Sequence, residues 1–104
     1  MKKYKLIKND FISIGGNKLY RIQALREFDV IEKGTLGGYI QKESNLSHDG
    51  NCWVYGNALV SGNALVIGDA YVSGDARVYG NALVSGNAYV IGDAYVSGDA
   101  RVYG

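Results

Sequence analysis

Few residues in this chain have side chains suited to chemistry, and they do not gather. The single histidine, His48, is the one side chain whose ordinary pKa lies near neutrality, so a general base would have to be this residue. No second base, nucleophile pair or extruded loop accompanies it, which leaves a solvent-facing or capping histidine as the simpler reading. The single cysteine, Cys52, stands where a repeat carries alanine; it should point inward and act as a small hydrophobe, not a nucleophile. One His and one Cys are too few for zinc, and Asp69, Asp75, Asp93 and Asp99 each follow a glycine as turn formers rather than calcium ligands. The Gly34 to Gly38 stretch lacks the Gly-Lys-Ser/Thr ending of a phosphate loop. Lys2, Lys3, Lys5 and Lys8 are nearly balanced by later acidic residues and read as a solvated strand face, so no nucleic acid is expected. With base, nucleophile and oxyanion donors never supplied together, the expectation is a protein that is not an enzyme, with no cofactor and no metal.

The elements that carry these residues follow from composition and rhythm. A chain of 104 residues makes one domain at most, and 47% hydrophobic residues exclude disorder. One cysteine makes no disulfide framework, the start has no signal-like apolar run, and no stretch approaches a membrane span; a cytoplasmic location is expected. From Gly50 a glycine falls at every sixth position to Gly104, and between glycines the pattern is (Asn/Asp)-Ala-x-Val-y. On a strand Ala and Val point to one side, and Gly followed by Asn or Asp turns a corner. So short a strand cannot bury its own apolar pair, so hexads must wind and stack as a parallel β-solenoid.

A second period lies over the first. Residues 56–79 and 80–103 are identical except that Tyr89 replaces Leu65. A coil of four hexads would pile Asp69 on Asp93, Asp75 on Asp99 and Arg77 on Arg101, like-charge contacts that stacked strands disfavour. An 18-residue coil avoids these three and puts Arg77 between Leu59 and Tyr95. Residues 1–49 lack the rhythm and are read as an N-terminal cap and irregular first coil, with residues 50–104 as the solenoid. Strands are expected at Tyr4–Ile7, Phe11–Ile14 and Lys18–Ala24, with a turn at Gly15-Gly16-Asn17 and a loop from Glu32 to Gly38. Helical spacing of Leu19, Ile22, Leu25 and Phe28 competes with the third strand; the strand is preferred.

The hexads resemble the hexapeptide-repeat left-handed β-helix, and this resemblance implies a left hand, a triangular section and about three coils from nine hexads. Gly34-Thr35-Leu36-Gly37-Gly38-Tyr39-Ile40, Asn45-Leu46-Ser47 and Gly50-Asn51-Cys52-Trp53-Val54-Tyr55 resemble the start of uncharacterised bacterial and phage hexapeptide-repeat proteins of the YdcK type. No established activity comes with that resemblance. Many left-handed hexapeptide proteins are acyltransferases with a histidine base and coenzyme A between subunits, which makes an acyltransferase the rival reading. A phage-encoded antagonist of a host protein is a third.

The outer surface carries the remaining expectations. Trp53, Tyr71 and Tyr89 form an outward aromatic ladder on the first face, and Leu65, Ile67 and Leu83 an apolar patch on the third; both suit a partner surface, with Trp53 as the strongest anchor and a sugar polymer as the alternative for the ladder. The chain ends at Gly104 without a cap, so Val90, Val96, Val102 and Tyr103 should border an open edge that closes as a two-fold homodimer. The function expected is a non-catalytic binding or self-assembly scaffold acting through protein–protein contacts.

Overall fold

Ala-x-Val triplets between corner glycines are too short to stand alone, and each is held by the triplet one coil away. In the computed structural model, which describes residues 2–103, the chain opens with a hairpin of β1 (Tyr4–Ile14) and β2 (Asn17–Ala24). There follow β3 (Leu36–Ile40), one 3-10 turn at Glu43–Asn45, and nine short strands: β4 (Trp53–Val54), β5 (Leu59–Val60), β6 (Leu65–Val66), β7 (Tyr71–Val72), β8 (Arg77–Val78), β9 (Leu83–Ser85), β10 (Tyr89–Val90), β11 (Tyr95–Val96) and β12 (Arg101–Tyr103). They stack as a β-solenoid with three faces: β4-β7-β10 on the first, β3-β5-β8-β11 on the second, β6-β9-β12 on the third. Trp53 pairs with Tyr71, Leu59 with Arg77 and Leu65 with Leu83, all in parallel and all 18 residues apart. Arg77 in turn pairs with Tyr95, so it lies between Leu59 and Tyr95 as the charge argument requires.

One like-charge contact persists in the 18-residue coil. The same step places Asp75 one coil from Asp93, a like-charge neighbour pair held at exposed corners where water screens the repulsion. The corner glycines are fixed by backbone geometry: Gly62 and Gly80 have φ of 65° and 73°, and a Cβ on Gly62 would lie 3.1 Å from the Gly80 carbonyl oxygen.

The stack has about four turns, one more than nine hexads supply. Ile40 pairs with Val60 and Leu46 bridges to Val66, each 20 residues on, so β3 and Leu46 form an irregular first coil with two extra residues between Leu46 and Val54. His48 lies in that enlarged corner. Glu32 to Gly38 is thus not all loop, because Leu36 to Gly38 belong to β3, recruited between β2 and β5. The hairpin extends the second face antiparallel, through a turn in which Gly15 and Gly16 have φ of 58° and 84°, the signs a type I′ turn needs. The competing helix over Leu19 to Phe28 does not form: the segment to Ala24 is β2, with Ile22 and Ala24, two apart, buried on one face and Leu19 buried on the other. Val54, Val60, Val66, Val72, Val78 and Val84 fill the interior without exposure, each contributing about 1.5 kcal/mol or more. Among the described residues no helix is long and apolar enough to cross a membrane.

Candidate functional site

The chemistry-bearing residues of the N-terminal half converge on the enlarged corner, where they fasten the leading segment to the solenoid. The Lys3 backbone N–H donates to Nδ1 of His48 (3.1 Å), so the ring proton sits on Nε2 and is donated to Glu43 Oε1 (2.9 Å). The ring stacks on Tyr4, centroids 4.2 Å apart, and the Tyr4 hydroxyl donates to the Glu43 carbonyl (2.8 Å). Both nitrogens of His48 are therefore engaged, and the ring in this geometry has no free nitrogen to take a proton from a substrate. Lys3 is not on a solvated face. It is fully buried, its ammonium donating to the carbonyls of Cys52 (2.7 Å) and Gly50 (3.3 Å) and reaching the Cys52 sulfur (3.4 Å). Burial lowers the Lys3 pKa and raises that of Cys52, so the thiol stays protonated and structural.

Asn45, whose role the sequence did not disclose, closes the first corner. Its side-chain oxygen accepts from the Gln41 and Lys42 amides, and its nitrogen donates to the carbonyls of Gly62 (3.1 Å) and Ala64 (2.8 Å). The signal available was an Asn two residues before the next corner's Ser47, in a chain where Asn marks corners.

The hydrogen bond from His48, aided by that from Lys2, holds the Glu43 carboxyl below its usual range. A carboxyl with a depressed folded pKa adds stability that is present above its unfolded value and lost as pH falls through the folded one. We expect acid unfolding followed by circular dichroism to lose part of its pH dependence in Glu43→Gln. The effect is modest because the carboxylate is half exposed.

The aromatic ladder is in register, but its lowest rung is inside the protein. Trp53 has no exposure, lying edge-on to Phe28 (5.3 Å) and Tyr4 (6.2 Å). The outward anchor expected at Trp53 is thus corrected: the segment around Phe28 folds over the first face exactly one coil below Tyr71. Tyr71 is half-buried and stacks on the exposed Tyr89 at 5.1 Å, with Tyr55 edge-on to Tyr71. The Tyr71 hydroxyl donates to Asp29, which pushes its pKa up. On the third face Leu65, Ile67 and Leu83 are half-buried, and Arg101 follows Leu83 in the column. At the far end Val90 and Val96 are buried and Val102 half-buried, so the core is less open than the sequence implied; Ala94, Ala100 and Tyr103 are exposed instead. The valines point into the triangle, where those of the other faces cover them.

The sequence also missed a groove. The tip of the hairpin stands beside the second face, and between them run two adjoining lobes of about 300 and 520 Å³. Ile12 and Ile14 form one wall; Tyr39, Leu59, Arg77 and Tyr95, the stacked outward residues, form the other. Asp75 and Asp93 border it. Only the fold-back of a hairpin far away in sequence creates this site.

Residues 54–68, 70–85 and 76–92 match the family model of the YdcK β-solenoid repeat. Over 37 residues the chain is 43% identical to the "Uncharacterized acetyltransferase YdcK" of Escherichia coli (strain K12), a match covering 36% of this chain and 11% of that protein. This corrects the expectation of a chain that is not an enzyme, since the relative with which it shares sequence is named an acetyltransferase. The repeats, their register and the family match agree: within residues 54–92 the chain carries YdcK-type β-solenoid repeats.

Proposed function

We infer that the protein is a binding and assembly module that joins a second copy through the aromatic column of its first face. The supporting observation is that Tyr71 and Tyr89 stack with ring centroids 5.1 Å apart while Tyr89 and Ile91 stay 62% and 59% exposed beside Tyr55. Such a patch of exposed aromatic and aliphatic groups suits a partner surface, and a two-fold contact covers the patch of both copies at once.

Light scattering at micromolar concentration should therefore give a dimer. Ile91→Lys, at an exposed position on that face, should give a folded monomer. A folded monomer of the parent chain would overturn the proposal.

A second reading, transfer of an acetyl group, draws its support from the name of the matched relative. Saturable binding of acetyl coenzyme A by calorimetry, followed by acceptor-dependent release of free thiol, would establish it.

A further inference from the structure

The groove on the second face carries opposite charges that do not neutralise one another. The ion pairs of the described residues are Lys2 with Glu43, Arg21 with Asp10 and His48 with Glu43; Arg77 pairs with neither Asp75 nor Asp93, although all three line one lobe. The guanidinium instead stands 5.8 Å from the ring of Tyr95. Donors of Arg77 and acceptors of Asp75 and Asp93 thus face the same space. Across from them Ile12 and Ile14 supply an apolar wall.

Each simple ligand class conflicts with some part of this lining. Two carboxylates against one guanidinium repel an anion, a simple cation offers the guanidinium donors no acceptor, and a purely apolar ligand would strand three charges. A ligand with many hydroxyls, each both donor and acceptor, and with an apolar C–H face satisfies all of them. Tyr95 offers an exposed ring as a platform for such a face. The rungs Tyr39, Leu59, Arg77 and Tyr95 follow one another at strand spacing, a run of about 14 Å, longer than a single sugar ring. We propose that this groove is a binding site for a neutral oligosaccharide, stacked on Tyr95 and hydrogen-bonded by Arg77, Asp75 and Asp93. The site does not depend on the association proposed above.

Calorimetric titration with maltotriose, cellotriose and chitotriose tests it. At least one trisaccharide should bind saturably. Arg77→Ala and Tyr95→Ala, both at exposed positions, should each weaken that binding about tenfold or more, whereas Tyr89→Ala on the first face should leave it unchanged. Absence of binding by all three sugars, binding indifferent to both groove variants, or loss in Tyr89→Ala alone would each overturn the proposal. Repeating the titration on Ile91→Lys separates the result from the state of association.

Discussion

Replacing Trp53 with alanine should destabilise the whole fold rather than trim an interface. The indole is fully buried between the leading segment and the first face, touching Tyr4 and Phe28 edge-on. Its removal leaves a large cavity where the N-terminal segment meets the stack, and such truncations cost about 3–5 kcal/mol. Urea unfolding should show a midpoint lowered accordingly, with circular dichroism of the variant already partly unfolded at temperatures the parent tolerates. The Trp53 Nε1 proton has no acceptor among the described residues, an unpaired polar group that burial penalises. Trp53→Phe removes that unpaired donor and keeps most of the aromatic contact, so it should lose much less. Equal losses in the two variants would show that the ring contacts do not hold the segment in place.

Gly38→Ala should be nearly as severe for a different reason. Gly38 lies buried in β3, where a Cβ would fall 2.5 Å from the Ala58 carbonyl oxygen and 2.7 Å from Val54 Cγ1. Gly37 is similar, a Cβ there meeting the Val54 carbonyl oxygen at 2.6 Å. The carbonyl oxygens belong to the second coil's backbone and cannot swing aside as a side-chain end can. Overpacking of this kind costs about 3 kcal/mol, and here it acts where β3 joins the hairpin to the stack. Gly56→Ala provides the comparison: it has open space around its Cβ position and carries only the strain of a positive φ of 59°. Thermal unfolding should rank Gly38→Ala well below Gly56→Ala. The reverse order would mean that the β3 contact relaxes.

The hexad pattern determined the solenoid because each of its signals is local. Ala and Val two apart choose one side of a strand, glycine supplies the positive φ of the corner, and copied charges select 18 residues over 24. The hairpin was equally legible, since Gly15-Gly16 and the alternation over residues 18–24 are short-range features. What the sequence could not show is where the irregular segment comes to rest. Trp53 has the outward position in its triplet, as Tyr71 and Tyr89 do, and periodicity treats the three alike. Only the return of Phe28 and Tyr4 over the first face makes the first a core residue and leaves the last exposed. Lys3 misled in the same way: beside Lys2 and Lys5 it reads as surface, yet two carbonyls and a thiol 47 and 49 residues on provide the partners that allow its burial. Contacts at such separation leave no trace in local rhythm. The groove beside Arg77 belongs to this second class, because one wall is repeat and the other is hairpin, and only the tertiary fold brings the two together.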